Sequence, residues 1–96
     1  MSASTCPFCS LPLERIVSRT AHILAIRDGF PITPGHTLLI PRRHVASLFD
    51  LTMVEWVELG QLLTEVRAAL SAELQADGFN IGVNEGTAAG QTVMHV

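Results

Sequence analysis

The longest regular pattern in the chain lies between Leu51 and Ala76. Trp56, Leu59, Leu62, Leu63, Val66, Leu70 and Leu74 recur every three or four residues, the spacing that lines side chains along one side of an α-helix. At about 100° per residue they fall within roughly one third of the circumference. Thr52, followed three residues on by Glu55, forms a capping box, in which hydroxyl and carboxylate each satisfy a backbone N–H of the first turn. The pattern predicts a helix from about Thr52 to about Ala76, with Gly78 in the C-cap region, where a left-handed residue commonly ends a helix. Met53, Val54 and Val57 fall off the stripe. They predict a second apolar contact, either beneath the preceding loop or on another subunit, and the second is preferred. Gly60 costs about 1 kcal/mol relative to alanine in a helix, which close approach of another backbone would account for.

Before the helix the pattern changes to short runs of branched residues. His22-Ile23-Leu24-Ala25-Ile26-Arg27-Asp28 reads as a strand closed by Asp28-Gly29, a turn signal. Pro31 and Pro34 stiffen the connection to a second strand, His36-Thr37-Leu38-Leu39-Ile40, which Pro41 ends. So short a connection predicts antiparallel pairing. Leu11 to Thr20 reads as irregular or a single helical turn, kept at the surface by Glu14, Arg15 and Arg19. Ala46 to Phe49 reads as a short helical turn. Beyond the long helix, Phe79 to Asn84 alternates apolar with polar or small residues, as a half-buried strand does. Gly90 to Val96 is expected to return beside it, with Val93 and His95 on one face. The expected class is α+β: an antiparallel sheet, one long helix and one short helix.

Ninety-six residues, 48% of them hydrophobic and 16% charged, fit one globular domain. The mean hydropathy of +0.37 is high for so small a chain. It fits a filled core, apolar surface kept for a partner, or a fragment missing its cover. A net charge of -3 gives no whole-chain reason to expect nucleic acid as a partner. No apolar run approaches membrane-spanning length. Met1 to Thr5 has neither a basic start nor an apolar segment, so no signal peptide is expected, and the cytoplasm is the expected compartment.

Chemistry enters with Cys6-Pro7-Phe8-Cys9. The pair could be half of a tetrahedral zinc site, a redox dithiol, or two incidental thiols. A redox pair of this type needs a preceding strand and a helix opening at the motif. Here only five residues precede Cys6, and Pro12 follows soon after, so zinc ranks ahead of redox. The remaining ligands must come from His22, His36, His44 and His95. Arg42-Arg43 could bind phosphate, but a solvated turn is the preferred reading.

Asn84-Glu85-Gly86, Gly90-Gln91-Thr92-Val93 and His95-Val96, together with Asp28, Pro31 and the block from Pro34 to Val45, resemble the histidine-triad (HIT) family. The resemblance runs from Cys6 to Val96 and implies a single HIT-like domain over residues 1–96. The family signature is His-x-His-x-His; here the chain carries the first histidine and its spacer. The resemblance is therefore to a HIT domain C-terminally truncated after that histidine, its last strand incomplete. Within the family's zinc-containing, bacterial-type branch, the matching metal ligands are Cys6, Cys9, His44 and His95.

The resemblance further implies binding of a purine nucleotide or nucleotidyl compound and a homodimer. Ile26 and Phe8 would flank the base and Asp28 would hold the ribose hydroxyls. Asn84 would orient the phosphate, and Gly90, Gln91 and Thr92 would offer it backbone and side-chain donors. Implied activity is hydrolysis or transfer at the α-phosphate of nucleoside phosphoramidates or dinucleoside polyphosphates, through a covalent intermediate on the middle histidine. That nucleophile is not among residues 1–96, so His95 has a supporting catalytic role only. His36 would be structural and His22 a surface residue. Alternatives are a non-catalytic zinc-stabilised nucleotide-binding remnant, a CxxC redox protein, and a small α+β interaction domain.

Overall fold

The computed structural model describes residues 6–9, 11–27, 35–91, 93, 95 and 96. Three strands, β1 (Ile16–Arg19), β2 (Ile23–Arg27) and β3 (Thr37–Pro41), precede one long helix, α1 (Met53–Leu74). The strands form one antiparallel sheet in the order β1-β2-β3. The α+β class is as the sequence predicts, and so is the antiparallel pairing of the second and third strands. The short helical turn is a 3-10 turn at Leu48–Asp50.

The central strand explains the architecture. Ile23, Leu24, Ala25 and Ile26 are buried in succession, so both faces of β2 are covered. Such a strand reads as an unbroken apolar run rather than an alternation. Ile23 and Ala25 pack with Leu62 of α1, supported by Leu39, Leu59 and Val66. Leu24 and Ile26 pack with Ile40 on the other face, covered by Phe8, Leu11, Ile16 and Leu38. The register pairs Leu24 with Ile40 and Ile26 with Leu38, which aligns this second cluster across the strands. Thus α1 closes one side of the sheet, and the segment bearing the cysteines closes the other.

The sequence missed β1, where Leu11 to Thr20 was expected to be irregular or helical. Ile16 and Val17 have the branched side chains a strand favours. Glu14, Arg15 and Arg19 hide that signal, because charged residues are common on edge strands. A shift in register between Ile16 and Ser18 further breaks the alternation.

Thr52 Oγ1 accepts from the Glu55 N–H at 3.1 Å, and Glu55 Oε1 accepts from the Thr52 N–H at 2.8 Å. The capping box is formed. The far end differs from expectation: α1 stops at Leu74, and Gln75, not Gly78, takes the left-handed conformation at φ 52°. A side chain costs roughly 1 kcal/mol there. Gln75→Gly should therefore raise stability by about 0.5–1 kcal/mol, measured as a shift in urea midpoint; no change would mean the helix end rearranges.

The apolar stripe is only partly buried. Leu62 and Leu70 are covered, but Trp56 is 38% and Leu74 42% exposed. A helix of 22 residues is about 33 Å long, whereas five-residue strands span only about 17 Å, so the ends of α1 overhang the sheet. Close to the C-terminal end, Gly35 at φ +80° lies where a Cβ would overlap Leu74. The positive φ is what calls for glycine there, since the half-exposed Leu74 side chain can turn aside.

No strand forms among the described residues of 79–96. This corrects the expected pair of strands there. Ile81 and Val83 alternate as a strand would, yet they are 64% and 51% exposed. A strand exists by pairing, and the tail is drawn elsewhere: the Val96 N–H donates to the Val45 carbonyl at 2.7 Å.

Candidate functional site

The Cys6–Cys9 segment is a tight turn closed by the Cys9 N–H on the Cys6 carbonyl at 3.1 Å. Phe8 anchors it, packing on the Leu24–Ile26–Ile40 cluster and standing edge-on to the His95 ring at 5.9 Å. His44 lies three residues beyond the end of β3. Its ring meets that of His95 edge-on at 5.2 Å.

Cys6, Cys9, His44 and His95 converge, their ligand atoms all within 4.8 Å of one another. Cys9 Sγ lies 3.1 Å from His44 Nδ1 and 3.5 Å from His95 Nδ1, and Cys6 Sγ lies 3.6 Å from His95 Nδ1. Tetrahedral coordination by two sulfurs and two nitrogens has edges of about 3.3–3.8 Å, given Zn–N and Zn–S bonds of about 2.0–2.3 Å. The two spacings to His95 match these edges, and the Cys9–His44 spacing is shorter.

The His95 ring is oriented for ligation. Its Nε2–H donates to the Pro41 carbonyl at 2.6 Å, which leaves the Nδ1 lone pair facing the thiols. Metal-bound histidines are typically held by such a bond at the other ring nitrogen. Burial pushes the His95 pKa down; the Pro41 carbonyl opposes this, and His44 adds to it. The ring is thus kept in the neutral form a metal needs. Burial also pushes the Cys9 thiol up, with Cys6 adding to the shift. A cation bound beside the Cys9 sulfur would oppose this rise and favour its thiolate. The cluster could hold a metal ion, and its donor set suits a tetrahedral divalent one.

The surroundings of His44 add to one expectation. Arg42 and Arg43 lie in an exposed turn, as the sequence suggests, but Arg43 is engaged there. Its Nη2 donates to Glu55 Oε1 and to the Asp50 carbonyl, each at 2.9 Å, and its Nε donates to Glu55 Oε2 at 3.3 Å. Glu55 is 3% exposed, and a carboxylate so buried requires a cationic partner. The bond from Arg43, followed by that from the Thr52 N–H, holds its carboxyl down at about 2. Sequence offered the capping box but nothing linking residue 43 to residue 55. It also gave no sign of the Pro41 carbonyl, a backbone group that only the fold brings to His95.

The glycine-rich loop folds as a 3-10 turn at Thr87–Ala89 between Gly86 (φ 86°) and Gly90 (φ 95°). Asn84 is exposed, and its amide lies beside Gly90. Gln91 is buried: both side-chain N–H groups are used, on the Ala46 carbonyl at 2.8 Å and the Val93 carbonyl at 3.0 Å, while its Oε1 accepts from the Gly86 N–H. The Gly90 and Gln91 backbone N–H groups close the loop on the Thr87 and Gly86 carbonyls. Gln91 therefore shapes the loop in this structure, rather than offering a free donor. Ile26 is fully covered beneath Phe8 and Leu11. Asp28 and Thr92 lie outside the described residues. His22 is exposed and pairs with Glu58 at 2.5 Å, and His36 immediately precedes β3. The next helical element described after the cysteine turn is a 3-10 turn at Leu13–Arg15, not the long helix a redox pair opens.

Comparison with known proteins places this arrangement. An uncharacterised HIT-like protein of Saccharolobus solfataricus is 36% identical over 94% of this chain and 68% of its own length. The bis(5'-nucleosyl)-tetraphosphatase (asymmetrical) of Schizosaccharomyces pombe is 44% identical over 93% of this chain, which spans 50% of that enzyme. Among solved structures, a zinc-bound histidine-triad family protein from Mycobacterium smegmatis superposes with a TM-score of 0.83 at 35% identity, covering 98% of this chain and 71% of that one. The HIT domain family model matches residues 13–96, and the chain belongs to the HIT domain family.

Proposed function

We propose that this chain forms the zinc-braced, nucleotide-binding part of a HIT domain that acts on nucleotidyl compounds. The substrate class is a nucleoside phosphoramidate or dinucleoside polyphosphate, cleaved at its α-phosphate. The observation that carries the reading is the place of His95. The first histidine of the triad turns its Nδ1 to Cys6 and Cys9 and gives its Nε2–H to Pro41. It is built into the metal centre rather than presented to a substrate. Zinc suits two thiolates and two imidazoles, and it would supply structural bracing.

Nucleotide recognition falls to the loop beside that centre. Asn84 and the Gly86–Gly90 turn would face the phosphate, with Asp28 on the ribose and Thr92 adding a donor. Gln91 would hold the turn in shape, and Phe8, above Ile26, would meet the base. Neutral dipoles fixed in place can stabilise a phosphoryl group without a basic cluster. The family's attacking histidine is not among residues 1–96. A polypeptide of these residues should bind a nucleoside monophosphate without turning over a dinucleoside polyphosphate, since loss of a nucleophile removes several orders of magnitude of rate. Calorimetric titration of the zinc-loaded chain with AMP and GMP, beside an assay for mononucleotide release from diadenosine tetraphosphate, tests this. Absence of binding would remove the nucleotide reading; turnover would remove the supporting role given to His95.

A homodimer fits the exposed Met53, Val54 and Val57 and the open space around Gly60. No helix among the described residues is long and apolar enough to cross a membrane. A reducing compartment such as the cytoplasm would keep the two thiols available to metal.

A further inference from the structure

We propose that Glu55 is a positioning residue for the metal centre, acting through Arg43 on His44. The proposal rests on the zinc reading above. Glu55 sits in the first turn of α1, and its carboxylate is nearly sealed from solvent. It takes three bonds: one from the Thr52 N–H, and two from the Arg43 guanidinium. Capping a helix uses one of these and does not require an arginine. The arginine fork instead fixes the residue immediately before His44, and its further bond to the Asp50 carbonyl prevents the fork from pivoting. The same short segment is gripped from its other side by the tail: Val96 donates to the Val45 carbonyl and Gln91 to the Ala46 carbonyl. Residues 43–46 are thus held between the helix start and the tail that carries His95. Cys9 and His44, 3.1 Å apart, meet at that point. Metal affinity depends on ligand placement to within tenths of an ångström, and a guanidinium–carboxylate fork gives fixed, two-point geometry that a flexible ammonium does not.

Zinc affinity measured by competition with a chromophoric chelator tests the idea in the full chain. Glu55→Gln should weaken zinc about 10- to 100-fold, the range for loss of a group that orients a ligand. Leu70→Ala, at the far end of α1, is the control: it opens the core without touching the centre and should change zinc affinity by no more than about threefold, although it lowers overall stability. Arg43→Lys keeps the charge and loses the fork. It should weaken zinc about tenfold, and it serves if Glu55→Gln does not fold, because Arg43 is half-exposed. With cobalt(II) in place of zinc, both positioning variants should alter the visible ligand-field bands, and Leu70→Ala should not. Equal loss of zinc affinity in Glu55→Gln and Leu70→Ala would overturn the proposal, as would wild-type affinity in Arg43→Lys. A wild-type chain that takes up no zinc would overturn the zinc reading itself, an outcome distinct from either.

Discussion

Replacing Cys6 by serine, or His95 by alanine, should weaken zinc binding about 10²- to 10³-fold and bring the chain towards the edge of unfolding. Structural zinc sites contribute about 10–16 kcal/mol of apparent binding free energy near pH 7, so each of four ligands carries about 2.5–4 kcal/mol, or roughly 10²- to 10³-fold in affinity. With zinc in excess that loss passes directly into stability. A domain of this size has only about 5–10 kcal/mol to lose. His95→Ala should be the more damaging of the two, because it also removes the bond to the Pro41 carbonyl and the ring contacts with Phe8 and His44. Metal content after dialysis and thermal melts with and without a chelator give the answer. Chelation should destabilise the wild type more than either variant; variants that hold zinc as tightly as the wild type and keep its melting temperature would sink the assignment.

Acid should cost the wild type about 2–3 kcal/mol that a Glu55→Gln variant does not lose. The folded-state pKa of Glu55 is about 2, against an ordinary value of 4.5. A group whose pKa is depressed by folding stabilises the fold above its unfolded pKa, and that contribution disappears as pH falls through the folded one. The window is therefore from about pH 4.5 down to about 2. At about 1.4 kcal/mol per unit the shift alone would give about 3.4 kcal/mol, and the half-exposed guanidinium, screened by water, brings this down. Any bound zinc would also be released as its ligands protonate, so both proteins should be compared in excess chelator, with helicity followed by circular dichroism. At neutral pH the variant should be the less stable of the two, and the gap should close on acidification. Curves that stay parallel from pH 7 to pH 2 would show that the ion pair contributes nothing to the fold.

How much of this was legible in the sequence follows from the range of each interaction. The capping box at Thr52 and Glu55, the start of α1 and the buried run of β2 depend on near neighbours, and they could be read directly. The candidate metal ligands could be named only through resemblance to a family, because nothing local connects Cys6 and Cys9 with His44 and His95. The Arg43–Glu55 fork was illegible: either residue alone reads as surface charge, and only the return of α1 beside the end of β3 makes them partners. Gln91 was legible as a loop residue, but its direction was not. An amide can serve a ligand or the backbone equally well, and the carbonyl of Ala46, 45 residues distant, decides which. The end of α1 was misplaced for the opposite reason: the local preference for glycine was overridden, and Gln75 accepted the strained conformation.

The bond between Cys6 and His95 spans 89 positions of the chain, and this separation bears on the order of events during folding. Contacts so far apart close late, since the entropy of a long loop must be offset before they gain anything. The β1-β2-β3 meander and α1 are built from short-range contacts and can assemble first, bringing the metal ligands together as a consequence. An ion captured at that stage contributes after the barrier has been crossed. It would slow escape from the native state while leaving the rate of arrival almost untouched, so a metal bound there would act less as a nucleus than as a latch.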